Sequence, residues 1–312
     1  MKTVATLTMN PTIDLSYEVD RLVPTLKMRA RNERYAPGGG GINVARVFVR
    51  LGGNARCYYL SGGATGQTFD GLVDLHQLVH TRILISEPTR VATAVYEKET
   101  GEEYRFTPAG PTILASEWQA CLDRLEEADC DILVISGSLP QGVPADFYAR
   151  VVARMAKRGI ETVLDTSGDA LAHGVAGGKL MLIKPNIAEL QQLVNRTLDD
   201  PREIAEAAEA IVAKGHTRLV AVTMGNRGAL LASEAGSTIF PALPIEAKSA
   251  VGAGDSFVAA MVHALARGCD PLDAFRHGIA AGTAAVMTPG SDLAYPTDIK
   301  KISAAFLHDL PS

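Results

Sequence analysis

The chain has 312 residues, 47% of them hydrophobic and 21% charged, a mixture that excludes intrinsic disorder and gives ample length for a buried core. Against 35 Asp and Glu stand 30 Lys and Arg, for a formal charge of -5. No global positive field is therefore available to hold nucleic acid or an anionic membrane, and a small-molecule partner is favoured.

Residues 2–9 read as a first strand that stops at the turn-forming pair Asn10-Pro11. From about 12 to 36 charged and apolar residues alternate without a helical period. A second such stretch, 89–107, reads as a hairpin turning at Gly101. Together these segments predict a small accessory sheet. The run Pro37 to Gly41 leads into a helix whose apolar face is Val44, Val47, Phe48 and Leu51. Further on, short apolar strands at 131–136, 161–165, 179–184 and 218–223 alternate with amphipathic helices such as 145–157 and 201–214. That rhythm belongs to βαβ units in a mostly parallel sheet covered on both faces. After 253 the chain is mainly helical, and no repeat or Pro/Gly/Ser-rich linker divides it, so one domain over 1–312 is expected.

Cys57, Cys121, Cys130 and Cys269 form no CxxC pair, which argues against a zinc cage or disulfide framework and for a reducing, cytoplasmic setting. Asp14 interrupts the N-terminus before a long apolar run develops, and no stretch approaches the roughly 20 apolar residues that span a bilayer. Neither export nor a membrane partner is expected.

In a doubly covered parallel sheet, ligands bind beyond the carboxyl ends of the strands. The sharpest motif at such a junction is Val251-Gly252-Ala253-Gly254-Asp255-Ser256, followed by an apolar helix. Its glycines let backbone N–H groups converge at a helix start, where the dipole favours an anion, and Asp255 in the first turn is placed to take a proton from an attacking hydroxyl. A helix cap is the alternative for this string taken alone. The four glycines 38–41 carry a large entropy cost; close approach of a ligand to the backbone would explain them, with Asn43 as donor and acceptor, and a flexible loop is the alternative. Ser136-Gly137-Ser138, Lys184-Pro185-Asn186 with Glu189, and Thr223-Met224-Gly225-Asn226-Arg227-Gly228 occupy further strand ends. Asn186 and Glu189, one turn apart, could order a hydrated magnesium ion or simply cap a helix. No GxxxxGK[ST], GxSxG or GxGxxG string exists, which excludes a P-loop, a hydrolase elbow and the dinucleotide fingerprint. His76 and His80 are four apart and could share a helix face, but lack a third metal ligand. Lys27, Arg29, Arg31 and Arg34 surround Glu33 with Tyr35 as the only aromatic, so a solvated face or local phosphate site is preferred over nucleic acid.

Taken together these motifs resemble the ribokinase-like sugar kinases of the PfkB carbohydrate kinase family. The family's N-terminal glycine signature is matched at 37–46 and its C-terminal GAGD at 252–255. PGGGGINVAR, SGGATG (61–66), Thr89-Arg90, GEEYRF (101–106), ISGSLP (135–140) and KPN (184–186) are most similar to its ATP-dependent 6-phosphofructokinase type. The resemblance implies a three-layer α/β/α fold with a small β-sheet lid, and MgATP-dependent phosphorylation of fructose 6-phosphate. Asp255 would be the base, the amides of Gly252, Ala253 and Gly254 the anion hole, and Arg105 would lie near the reacting phosphates. Asp14, Gly39, Asn43 and Ser138 would hold sugar hydroxyls, and Lys27 and Arg90 the sugar phosphate. Lys184, Asn186, Thr223, Gly225 and Gly228 would line the nucleotide site. Ser249, Val251, Ala285, Thr288 and Gly290 would bind a monovalent cation such as potassium, and the lid would pair two subunits into a homodimer. The chain departs from that type at Thr288 and Asp292, where asparagine and arginine are usual. Related 1-phosphofructokinases and tagatose-6-phosphate kinases usually carry lysine where Gly40 stands; these activities are the alternatives within the fold. From other classes come a non-catalytic nucleotide-binding protein, disfavoured by the retained Asp255, and a Rossmann oxidoreductase, disfavoured by the missing GxGxxG.

Overall fold

The computed structural model describes residues 1–245, 249, 251–288 and 292–308. In chain order the first half runs β1 (Val4–Thr8), β2 (Thr12–Val19), β3 (Arg31–Gly38), α1 (Gly40–Arg50), β4 (Ala55–Gly62), α2 (Gly63–Leu75), β5 (Val79–Ile85), β6 (Arg90–Glu97), β7 (Glu103–Phe106) and α3 (Ala115–Glu126). The second half runs β8 (Ile132–Ser136), α4 (Phe147–Lys157), β9 (Glu161–Asp165), α5 (Gly168–Ala176), β10 (Leu180–Ile183), α6 (Ile187–Val194), α7 (Pro201–Ala213), β11 (Thr217–Thr223), β12 (Ala229–Ser233), β13 (Gly236–Phe240), α8 (Ala253–Ala266), α9 (Pro271–Val286) and α10 (Pro296–His308).

Nine strands form one sheet in the order β13-β12-β11-β10-β9-β8-β1-β4-β5. Every pairing from β5 across to β11 is parallel, and the two pairings at the other edge, β11–β12 and β12–β13, are antiparallel. Alternation along β8 shows how the layers arise: Leu133 and Ile135 join a core with Leu122, Val151, Leu171 and Ile204, while Ile132 and Val134 join a second core with Val44, Phe48, Val258 and Phe275. Successive side chains of a strand point to opposite faces, so a strand apolar at every position requires helices on both sides. The first core lies under α3, α4, α5 and α7, the second under α1, α8 and α9. Between α8 and α9 the contact is made by small residues, Ala260, Ala280, Ala281, Ala284 and Ala285, which lets the two helices approach closely.

The smaller sheet has the order β3-β2-β6-β7. Its strand β2 pairs antiparallel with β3 and parallel with β6, and the β6–β7 hairpin turns at Gly101 with a φ of 73°. Both stretches expected to supply an accessory sheet therefore do so, with residues 20–30 as a connection rather than strand. His76 caps the C-terminus of α2 and His80 lies in β5, so the pair shares no helix face. His80 instead bridges Asp74, at 2.9 Å, and the Tyr59 hydroxyl, at 3.1 Å. All four cysteines are free, and among the described residues no helix is long and apolar enough to cross a membrane.

Candidate active site

The carboxyl ends of β8, β9 and β10 and the N-termini of α1 and α8 come together in one place. At the start of α1 the glycines are required by protein packing. A Cβ at Gly40 would lie 2.2 Å from Ser136 Oγ and 2.9 Å from the Gly137 nitrogen, one at Gly41 2.7 Å from the Leu7 carbonyl oxygen, and one at Gly38 2.1 Å from Asp14 Oδ2. Gly39 takes a φ of 105° as the helix N-cap. The run is thus neither a flexible loop nor explained by a ligand alone: it presses the helix start onto β1 and β8, and so sets where Asn43 stands.

Asn43 Nδ2 donates to Asp255 Oδ2 at 2.9 Å. Asp255 is the third residue of α8, whose N-cap Gly252 is left-handed with a φ of 68°. A side chain at Gly252 would meet Leu293 at 2.3 Å, so glycine is needed there for both space and conformation. Ser256 N bonds back to the Gly252 carbonyl at 2.8 Å, while the N–H groups before it lie in the first turn and have no intrahelical acceptor. Burial, reinforced by the nearby Asp165 carboxylate and by Asp14, pushes the Asp255 carboxyl up to about 7, against the pull of the Asn43 hydrogen bond and of Lys184. A carboxyl poised there is suited to general-base work at neutral pH.

Lys184, just beyond β10, pairs with Asp165 at the end of β9, Nζ to Oδ1 3.1 Å. Its ammonium lies 3.2 Å from where a Gly254 Cβ would be. A buried cation thus abuts the amide-rich start of α8, a combination suited to an anion. Burial alone would lower the Lys184 pKa, but Asp165, Glu189 and Asp255 outweigh it and hold the ammonium charged. Asp14, on β2, is raised to about 6 by burial despite the attraction of Arg46, Arg90 and Arg105.

Other expected residues are placed less centrally. Arg90 donates to the carbonyls of Asn10 at 2.8 Å, Pro11 at 3.4 Å and Pro108 at 2.9 Å, tying the start of β6 to the β1–β2 turn. Ser138 is exposed and within 3.4 Å of Asn10 Nδ2. Arg105, on β7, pairs with Glu103 and donates to Ser249 Oγ at 3.2 Å, so the smaller sheet reaches the segment before α8. Lys27 is exposed in the 20–30 connection and makes no polar contact with the other candidate residues among the described ones.

Asn186 and Glu189 form a capping box on α6: Glu189 N donates to Asn186 Oδ1 at 2.9 Å and Asn186 N to Glu189 Oε2 at 2.8 Å. Glu189 Oε1 remains for another partner. Thr223 N bonds the Pro185 carbonyl at 3.0 Å, which brings the 184–186 and 223–228 segments side by side. A Cβ on Gly225 would meet nothing within 4 Å, whereas one on Gly228 would lie 1.9 Å from the Phe240 carbonyl oxygen; the first glycine faces open space, the second serves packing. Ser249 N bonds the Val286 carbonyl at 3.1 Å and Thr288 Oγ1 the Ala284 carbonyl at 3.0 Å, so Ser249, Val251, Ala285 and Thr288 gather at the C-terminus of α9. Gly290 lies outside the described residues. Asp292, the other departure, accepts from Arg50 at 3.4 Å and from Tyr295 at 2.8 Å.

The profile of the pfkB family carbohydrate kinases matches residues 5–298. The chain belongs to that family. As a pfkB carbohydrate kinase with the ribokinase-like α/β fold, it is a phosphotransferase that moves a phosphoryl group from ATP to a sugar hydroxyl. It is 39% identical over 301 residues to the ATP-dependent 6-phosphofructokinase isozyme 2 of Mycobacterium tuberculosis, covering 96% of this chain and 88% of that protein. To the isozyme 2 of Escherichia coli K12 it is 37% identical over 306 residues, 97% of this chain and 99% of the relative. The crystal structure of Escherichia coli phosphofructokinase-2 in complex with potassium superposes with a TM-score of 0.94 at 36% identity, covering 98% of this chain and 100% of that one.

Two site residues that motif reading passes over are Asp165 and Arg46. The first ends a strand that the sequence does predict, so its position at a carboxyl end was a usable signal; its pairing with Lys184 was not.

Proposed function

We propose that the protein transfers the γ-phosphoryl group of ATP to the C1 hydroxyl of fructose 6-phosphate. The observation that carries this reading is the single constellation at the start of α8: a carboxyl near neutrality held by Asn43 at 2.9 Å, beside unconsumed backbone N–H groups and the Lys184 ammonium. Phosphoryl transfer asks chiefly for in-line placement and charge stabilisation. Asp255 takes the hydroxyl proton as the C1 oxygen forms its bond to phosphorus and the bond to the ADP oxygen breaks. The amides of Gly252, Ala253 and Gly254, with Lys184, stabilise the charge on the transferred group. Asp14, Gly39, Asn43 and Ser138 orient the sugar, Lys27 and Arg90 take its phosphate, and Asn186, Thr223, Gly225 and Gly228 line the nucleotide site. Arg105 supplies further positive charge from the smaller sheet.

Among the described residues no three His, Cys, Asp or Glu side chains cluster to hold a metal ion. Glu189, with Oε1 left over by the capping box, and Asn186 fit an ion that keeps most of its water and is held indirectly. Magnesium bound there would neutralise phosphate charge on ATP. The backbone carbonyls of Ser249, Val251, Ala285 and Thr288, gathered at a helix C-terminus, fit a monovalent cation.

Tyr35, Tyr104 and Phe106 are exposed on one face of the smaller sheet, and this aromatic face supports a homodimer joined through the sheet as a lid. The free cysteines support a reducing, cytoplasmic location, and the family match over 5–298 supports one kinase domain with the lid strands at 12–36 and 89–107.

Arg90→Ala tests the sugar-phosphate pocket. KM for fructose 6-phosphate is expected to rise about 10–100-fold, with KM for ATP within about twofold, in steady-state kinetics. An equal rise for both substrates would assign Arg90 to holding the β1–β2 turn rather than to the phosphate.

A further inference from the structure

Arg46 is 5% exposed, and among the described residues no carboxylate lies within ion-pair distance of it. Its Nε is buried without a hydrogen-bond partner. A buried guanidinium so poorly compensated is costly to hold in the fold, and stability alone gives no reason for it. What it touches does. Nη1 donates to the Pro37 carbonyl at 3.1 Å and to Asn43 Oδ1 at 3.4 Å. The first acceptor immediately precedes the glycine run and the second closely follows it, so one cation spans four residues that each carry a high ordering entropy. The second contact also settles the Asn43 amide. With Oδ1 taken by Arg46, Nδ2 is the group turned to Asp255 at 2.9 Å; a flipped amide would set its oxygen against the carboxylate.

We infer that Arg46 is a positioning residue for phosphoryl transfer, fixing through Asn43 the donor on the Asp255 carboxylate and through Pro37 the glycine run beside it. The inference rests on Asp255 as the base. Arg46 acts in a field of Arg50, Asp292, Asp14 and Tyr295, with His76 at the end of α2 also within its influence. Asp255 is faced by Asp165 and Lys184 from the β9 and β10 ends and by Asp14 from β2. Loss of the oriented amide removes a hydrogen bond to the ionised form, so the Asp255 pKa must move up.

The test is the pH profile of kcat and the two KM values for wild type, Arg46→Met and Arg46→Lys, with thermal melts of each and Asp255→Asn alongside. In Arg46→Met, kcat is expected to fall about 10–100-fold at pH 7, the acid limb to shift upward by about one pH unit, and KM for the sugar phosphate to rise more than KM for ATP. Arg46→Lys, which keeps a cationic donor, restores most of the limb. A variant that loses activity with an unshifted limb and equal changes in both KM values would overturn the inference and leave Arg46 a structural residue. Should Arg46→Met fail to fold, Arg46→Gln and Arg46→Lys are compared on the same limb. If Asp255→Asn retains near-normal kcat, the base assignment fails instead, and this is seen without reference to Arg46.

Discussion

Asp255→Asn is expected to lower kcat by about 10²–10⁴-fold while leaving both KM values within a few-fold of wild type. The amide keeps the shape of the side chain and its place in the first turn of α8, but has no basic oxygen to take the hydroxyl proton. The first-turn amides of α8 and the Lys184 ammonium are untouched, so binding persists. The same carboxyl sets the pH dependence. With a pKa pushed to about 7, the active ionised form is lost as pH falls, and kcat/KM is expected to decline tenfold per unit below that value. The stability effect has the opposite direction. A carboxyl raised in the folded protein above its ordinary 3.8 holds its proton more tightly there than in the unfolded chain. Ionising it destabilises the fold as pH rises through the interval between the two values. Asp255→Asn is therefore expected to be more stable than wild type at pH 8, by up to about 4 kcal/mol, and indistinguishable near pH 3, where the carboxyl is protonated in both states. Urea unfolding at both pH values measures this. A variant with near-normal turnover would remove Asp255 from the role of base.

Lys184→Met is expected to cost about 3–5 kcal/mol of stability, because it strands Asp165 in a nearly closed site. The Lys184 and Asp165 side chains are only 7% and 13% exposed, which sets this pair apart from the surface ion pairs of the molecule, worth at most about 1 kcal/mol. Activity falls as well, since the cation that abuts Gly254 is gone. The double variant Asp165→Leu with Lys184→Met is expected to recover most of the stability and none of the activity, because an apolar pair needs no mutual compensation. The single tryptophan, Trp118, packs against Phe147 with ring centroids 6.2 Å apart and reports unfolding by fluorescence. A Lys184→Met protein within 1 kcal/mol of wild type would show that the pair is better solvated than its burial implies.

Much of this arrangement was legible in the sequence where the physics is local. The strands β8 to β11 announce themselves because burial on both faces leaves unbroken apolar runs, and the smaller sheet because alternation gives way to turn residues near Gly101. The segment from β4 to β5 was less legible. β5 is an edge strand in which only Ile83 and Ile85 are buried, and β4 carries the exposed Arg56 near its start. At the site, Asp255, Asn43 and Lys184 stood out because glycine-rich junctions at strand ends are few. Their partners did not. The contact between Asn43 and Asp255 spans 212 residues, and Asp165 meets Lys184 only once β9 and β10 lie side by side. The glycine run shows the limit most clearly: its composition fits a loop or a ligand-contact site equally, and only the close approach of α1 to Thr8 and Ser136 reveals why side chains are forbidden there. Asn186 and Glu189 illustrate the converse, since the cap expected as the plainer alternative is present in both directions and leaves a single carboxylate oxygen for anything else.

The most direct measurement is the initial rate of ADP formation from MgATP with fructose 6-phosphate, tagatose 6-phosphate, fructose 1-phosphate and unphosphorylated fructose, using wild type and Asp255→Asn side by side. A clear preference for fructose 6-phosphate that disappears in the variant is the expected result. A preference for another sugar of the panel, or fructose 6-phosphate turnover that survives in Asp255→Asn, would contradict it.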